Sequence, residues 1–404
     1  MRVALFHNLP PGGARRAAFE LARRSSSDIE YDLFTFDLLD ADRFNCDAQR
    51  GAQDLSTVCG DALRIPISDW PHRAPLPLEV ARAIDIVNVD RAGRDMAEAI
   101  DKGRYDAVLA HHCQLLQAPP ILGRTRVPVV YFLQEPRRQT FEYNLSRRRQ
   151  TVPWWSLTRR AARLFDHWIA ERDIARTRAA TTMIVNSAHS MEFAYRAYGR
   201  HAHVSHLGVD EEVFTTGAVQ ERSGVLAVGS LHPMKGHGFC IREVGMVDSR
   251  VRPPLTIVYE RGTAAERSEL ERAADAAGVE LTFVRSCGDE ELADLYRRAV
   301  AVLAAATVEP FGLTTIEALA CGTPVIAVAE GGYREVVRDG ENGMLVDRTP
   351  GTMAAAIQRM VTNSIGFDPC ALRATVLPYF SWQEASARLD GLLRATVNET
   401  RSHE

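Results

Sequence analysis

Glu309 and Glu317 stand with seven residues between them in the run Glu309-Pro-Phe-Gly-Leu-Thr-Thr-Ile-Glu317-Ala-Leu-Ala-Cys-Gly-Thr-Pro-Val-Ile-Ala327. An apolar run ends near Ala306, a loop with Pro310 and Gly312 follows, and a helix is predicted from near Leu313. The amides of Phe311, Gly312 and Leu313 then become helix-start donors, and such a terminus attracts phosphate. Glu309 falls in the loop and Glu317 about one turn inside the helix. A carboxylate at either place can accept bonds from a pair of sugar or ribose hydroxyls. The plain alternative is that both glutamates complement the helix dipole.

Three further loops carry chemistry of the same kind. Val228-Gly-Ser-Leu-His-Pro-Met-Lys235-Gly236 follows a strand and holds one of only two lysines, Lys102 and Lys235, against 46 arginines. A lysine kept amid such an arginine bias hints at a need for a compact ammonium. His7-Asn-Leu-Pro-Pro-Gly12-Gly13-Ala-Arg15-Arg16 also follows a strand and opens a helix. Glu330-Gly331-Gly332-Tyr333-Arg334-Glu335 has the same form, with glycines that let backbone approach a ligand closely. Ala110-His111-His112 ends another strand. Adjacent strand residues point to opposite faces, so one histidine faces the site, and His111 is preferred.

Taken together, these segments resemble the signatures of the retaining glycosyltransferases of family 4 (glycosyl transferase group 1). The resemblance spreads over nearly the whole chain and is densest from 225 to 347. It implies that Glu309 holds donor-sugar hydroxyls and Glu317 the ribose, and that Lys235 neutralises the donor diphosphate. It places Arg16 in the arginine slot of a Gly-Gly-x-x-Arg loop with Gly12 and Gly13. It sets His111 near the reacting carbon, and Gly331 and Gly332 beside donor sugar or phosphate. Glu309, His111 and Lys235 are the implied catalytic residues. Gly12, Gly13, Arg16, Ser230, Phe311, Gly312, Leu313, Glu317, Gly331 and Gly332 are the implied substrate contacts. Weaker echoes are Asn186-Ser187, Gly208-Val-Asp210 with Phe214, Asp289 to Leu292, and Phe380-Ser381-Trp382. Two departures stand out. Ser230 occupies the position of the family arginine in the lysine loop, with His232, Arg15 or Arg16 as candidate substitutes. Tyr259-Glu260-Arg261-Gly262 stands where the family often has Gly-x-Gly.

The elements that must position these residues read as alternating strands and helices. Strands are predicted at 3–7, 31–36, 107–110, 127–133 and 182–185. A second set follows at 225–228, 255–258, 281–284, 300–305, 324–327 and 344–346. Several are continuous apolar runs, as strands covered on both faces require. Helical periodicity fills 265–277 and 289–299. The alternation predicts two doubly wound parallel sheets. With the resemblance it implies an α/β GT-B fold: two Rossmann-like domains facing each other across a cleft. The expected domains are 1–207 for the acceptor and 208–380 for the nucleotide sugar. A tail, 381–404, is expected to return to the first domain. The linker is placed at 208–222, and 37–80, with Pro66, Pro71, Pro75 and Pro77, reads as an irregular insertion.

A chain of 404 residues favours two domains, and 46% hydrophobic with 25% charged residues reads as globular. The net charge of -4 gives no case for nucleic-acid binding. Met1 runs straight into the first strand, leaving no room for a signal peptide, and no apolar run reaches the ~20 residues of a membrane span. Seven scattered cysteines without Cys-x-x-Cys predict reduced thiols, and Cys321 reads as packing. These features predict a cytoplasmic protein. The run 137–178 holds 11 arginines against four acidic residues, with Trp154, Trp155 and Trp168. It reads either as a peripheral contact with the inner membrane face or as a surface helix with core aromatics. No metal and no cofactor are expected; the resemblance implies a nucleoside-diphosphate sugar as co-substrate. The expected acceptor is a glycan, a lipid-linked sugar or a small metabolite. The rival readings are a binding protein without turnover, or an epimerase or phosphorylase on the same fold.

Overall fold

A computed structural model of the chain describes residues 1–10, 12–38, 54–67, 78–138, 157–218, 221–362 and 365–402. Most of the stretch read as an insertion, including Pro71, Pro75 and Pro77, lies outside them. So do Trp154 and Trp155. The chain forms two compact units: Met1–Ser205 with Ala385–Glu404, and His206–Glu384.

The first unit runs β1 (Arg2–Asn8), α1 (Gly13–Arg23), β2 (Glu30–Leu38), β3 (Ala62–Ile67), α2 (Leu78–Lys102), β4 (Ala107–Cys113), β5 (Val129–Phe132), α3 (Leu157–Arg178), β6 (Thr182–Val185), α4 (Ala188–Tyr198) and β7 (His203–Val204). All strand pairs are parallel, in the order β3-β2-β1-β4-β5-β6-β7. The central strands are buried end to end because helices cover both faces. Phe6, Phe34, Met96, Ile100, Val108 and Met183 fill one core. β3 was not predicted. Its burial is mostly exposed and it carries Pro66, so this edge strand lacks the apolar alternation that marks a strand. β4 runs further than predicted and takes His111 and His112 into the sheet.

The second unit runs β8 (Val225–Val228), α5 (His237–Met246), β9 (Leu255–Tyr259), α6 (Ala264–Ala277), β10 (Leu281–Arg285), α7 (Asp289–Arg298), β11 (Ala301–Ala304), α8 (Leu313–Ala320), β12 (Val325–Val328), α9 (Tyr333–Val336), β13 (Gly343–Val346), α10 (Thr352–Val361) and α11 (Pro369–Ala374). A last helix, α12, spans Trp382–Ser402. The sheet order is β10-β9-β8-β11-β12-β13, again parallel throughout. Residues 208–222, read as a linker, are counted within this unit. Arg222 fixes them there by donating to the carbonyls of Ala299 and Gly322 and to Thr323 Oγ1. From Ala385 onward α12 belongs to the first unit, where Asp390 accepts from Ser25 Oγ and the Ser26 amide.

In each unit the strand order reverses direction at one point, between β1 and β4 and between β8 and β11. Loops leaving the carboxyl ends of those strands splay apart and open a ligand crevice. The four loops singled out in the sequence after β1, β4, β8 and β11 all leave from these switch points.

Candidate functional site

In the second unit, Lys235 ends a short 3-10 turn, Pro233–Lys235, just after β8. Glu309 lies in the loop after β11. The Lys235 ammonium donates to Glu309 Oε2 at 2.8 Å. Adjacent strands thus join two motifs 74 residues apart in sequence. The two loops are also tied through backbone. Thr307 N–H donates to the Met234 carbonyl, and Gly236 sits so close to β11 that a Cβ would lie 1.9 Å from the Ala305 carbonyl oxygen. Gly236 has φ +76, so both conformation and space demand glycine. His237, buried, spans the carbonyls of Gly229 and Ser230 at 3.2 and 3.1 Å. Both partners only accept, so Nε2 carries the proton; burial lowers the ring's pKa and keeps it neutral.

Beyond Glu309, α8 starts at Leu313 behind Gly312, whose φ is +97 and which offers no side-chain cap. The amides of Phe311, Gly312 and Leu313 take no backbone acceptor among the described residues. Glu317, buried inside the helix, accepts from the Tyr296 hydroxyl at 2.9 Å. Gly331 and Gly332 approach protein: a Cβ on either would lie 2.3 to 2.5 Å from the carbonyls of Glu309 and Pro310, and Gly332 N–H donates to Glu309 O. Their first task is to hold the Glu309 loop. Arg348 adds a second hold. It forms a two-pronged pair with Glu330 and donates to the carbonyls of Ala305 and Ala306. Glu330 in turn receives the Val308 amide. Val308 has φ +49, a strained conformation for a β-branched residue, and these bonds maintain it.

Sequence reasoning did not single out His237, Tyr296 or Arg348. Each acts from outside the motif it supports, and only the Lys235-Gly-His237 adjacency offered a signal. His232, a candidate to replace the missing arginine, caps the 3-10 turn by accepting the Met234 amide on Nδ1. Arg15 and Arg16 belong to the first unit. Cys321 is buried and its thiol is pushed up to about 12, which suits packing.

In the first unit, Gly12 (φ +137) precedes α1, and the Arg16 amide donates to its carbonyl. Gln134 Nε2 secures the same turn at the Ala14 carbonyl. His111 is fully enclosed beside Phe132, and neither ring nitrogen has a partner within the described protein. Burial lowers His7 and His111 to about 3 and His112 to about 4. In α3, Leu164 and Trp168 are exposed, while Arg172 and Arg176, with Arg124, converge on Asp90. The cationic surface of this helix is therefore smaller than its composition suggests. Among the described residues no helix is long and apolar enough to cross a membrane, and no three His, Cys, Asp or Glu side chains cluster to hold a metal.

The three histidines have a consequence for stability. Their folded pKa values lie below the ordinary 6.5, so below that pH the unfolded chain binds more protons. Their contribution is intact above about 6.5 and is lost as pH falls toward 4 and 3, at roughly 1.4 kcal/mol per pH unit for each ring. Urea unfolding at pH 7, 6 and 5 should show this slope, and His111→Asn should flatten it by about one proton. An unchanged slope in that variant would remove His111 from the account.

Residues 209–371 match the family described as Glycosyl transferases group 1. The chain is 30% identical over 245 residues to D-inositol 3-phosphate glycosyltransferase 1 of Catenulispora acidiphila, covering 54% of this chain and 58% of that protein. It is 32% identical over 238 residues to the D-inositol 3-phosphate glycosyltransferase of Streptomyces bingchenggensis, covering 52% and 51%. The aligned stretch thus spans little more than half of these relatives. Among solved structures, sucrose-phosphate synthase from Thermosynechococcus elongatus superposes with a TM-score of 0.73 at 20% identity, over 98% of both chains. Anabaena HepE in complex with UDP superposes with a TM-score of 0.70 at 19% identity, over 98% and 99%.

Proposed function

We propose that this chain, which carries a Glycosyl transferases group 1 domain within a GT-B fold, is a retaining, family 4 type glycosyltransferase acting on a nucleoside-diphosphate sugar. The observation that carries this reading is the Lys235–Glu309 pair beside the uncapped start of α8. A cation, a set of helix-start amides and a carboxylate meet there, which is what a diphosphate joined to a polyhydroxy ring needs. Lys235 and the amides of Phe311, Gly312 and Leu313 hold the diphosphate. Glu309 accepts from sugar hydroxyls and Glu317 from the ribose. The family resemblance also implies roles for Gly12, Gly13, Arg16 and His111 of the first unit.

The bond between the anomeric carbon and the phosphate oxygen breaks as the acceptor oxygen bonds to the same face. The acceptor proton passes to the departing phosphate oxygen. Charge develops on the leaving diphosphate, where Lys235 and the α8 amides already stand, so no metal is required in this scheme. The HepE structure holds UDP, so uridine is the first base to test here. The acceptor is a glycan, a lipid-linked sugar or a small metabolite. Any contact with the cytoplasmic membrane face would use Leu164 and Trp168 of α3. Ser230 favours one rival, a protein that binds sugar nucleotides without turnover.

Incubation with UDP-, GDP- and ADP-sugars separates these readings. Release of nucleoside diphosphate marks a transferase or a hydrolase, tight binding without release marks the rival, and no binding to any of them sinks both. Lys235→Ala should weaken nucleoside-diphosphate affinity at least tenfold by calorimetry, since an ammonium–phosphate bond is worth about 1.5–3 kcal/mol. Unchanged affinity would take Lys235 out of the site.

A further inference from the structure

Ser230 leaves the lysine loop one cation short of the arrangement it resembles. The parallel pairing of β8 with β9 continues past the strand ends and shows what lies beside that position. Val228 pairs with Val258 in register, and Gly229 N–H donates to the Val258 carbonyl. One step further, Leu231 N–H donates to the carbonyl of Arg261 at 2.8 Å. Gly262 closes the contact: a Cβ there would lie 2.6 Å from Leu231 Cγ, so glycine lets the two loops meet. Residue 261 is therefore locked by backbone against the residue that follows Ser230. Arg261 lies in the second stretch that departs from the family, where Gly-x-Gly is usual.

The Arg261 side chain is exposed and makes no hydrogen bond, ion pair or ring contact with a described residue. Neighbouring cations have other work. Lys235 pairs with Glu309, and Arg267 bonds Glu271 and lies over the Phe283 ring. An arginine side chain is long compared with one hydrogen bond, so a guanidinium rooted at 261 can extend to the space over Ser230 from the adjacent loop.

We infer that Arg261 restores the cation missing at Ser230 and binds the donor diphosphate together with Lys235. The two departures are then one exchange, with the charge moved from the loop after β8 to the loop after β9. This inference rests on the donor-site reading above.

Calorimetry on the full chain tests it, using whichever of UDP, GDP and ADP binds wild type best. Arg261→Ala should lose at least tenfold in affinity, and its affinity should depend less steeply on salt, because one phosphate contact is gone. Arg261→Lys should recover part of the loss. Ser230→Arg should gain nothing in wild type, where the space is taken, and should restore affinity in Arg261→Ala. Affinity of Arg261→Ala within twofold of wild type, with an unchanged salt slope, would overturn the inference. So would rescue by Ser230→Arg in an Arg16→Ala background but not in Arg261→Ala, which would assign the compensation to Arg16. Failure of wild type to bind any of the three diphosphates would instead bring down the donor-site reading, and this inference with it.

Discussion

Glu309→Ala should lower glycosyl transfer by about a hundredfold or more, while nucleoside-diphosphate affinity holds or rises. The two effects separate because Glu309 has two partners in turn. Without donor it neutralises Lys235 at 2.8 Å, in a partly exposed pair. Such pairs contribute about 0–1 kcal/mol, so a diphosphate can take over the ammonium at little cost. Removing Glu309 releases Lys235 from that partner and leaves the phosphate site more positive. The sugar contacts are lost, however, and they matter most as the anomeric carbon becomes cationic. A charged hydrogen bond costs about 1.5–3 kcal/mol when removed, and loss of carboxylate stabilisation adds to that. The fold should survive, since the pair sits in a loop outside the packed sheet. Initial rates, diphosphate titration and thermal unfolding of one preparation decide the matter. Transfer within threefold of wild type would reject the assignment. Diphosphate affinity falling in step with transfer would mean that Glu309 shapes the phosphate loop and does not serve the sugar.

The fold was legible because parallel strands buried on both faces announce themselves as continuous apolar runs. Val225–Val228 and Thr182–Val185 are such runs, and their predicted bounds match the strands. β3 was illegible for the opposite reason. It is an exposed edge that gains nothing from apolar side chains, so Ala62–Ile67 looks like loop. The candidate site shows the same division. Glu309, Glu317 and Lys235 lie in local strand-loop-helix patterns that a sequence displays directly. Their supports do not: Arg348 reaches Glu330 and Ala305 from just beyond the end of β13, and Tyr296 reaches Glu317 from α7. Arg261 meets Leu231 only because β8 and β9 pair in one register. Sequence distance hides such contacts, since the strand order, not chain order, decides which loops are neighbours.

Gly331→Ala should cripple transfer without touching a charged group, and Gly340→Ala should not. Both glycines have positive φ, +58 and +77, so an alanine at either bears the left-handed penalty of about 1–2 kcal/mol. Their surroundings differ. A Cβ at 340 meets nothing within 4 Å, whereas one at 331 would sit 2.3 Å from the Glu309 carbonyl oxygen and 2.9 Å from its amide nitrogen. That carbonyl also accepts the Gly332 N–H at 2.8 Å, so it cannot move away without breaking the bond that fixes the loop. Relief must come from backbone, either at Glu309 or in the turn, and overpacking of this kind typically costs a further 1–3 kcal/mol. The loop that yields is the one carrying the carboxylate. A displacement near 1 Å can lower a rate about a hundredfold when it spoils alignment with the reacting atoms. Gly340→Ala therefore calibrates what strain alone does: a modest loss of stability with transfer unchanged. Gly331→Ala should lose stability by more and transfer by tenfold or more at a temperature where both variants remain folded. Equal transfer by the two folded variants would show that the Gly331–Gly332 turn does not position Glu309, and the buttress role drawn from these contacts would fall.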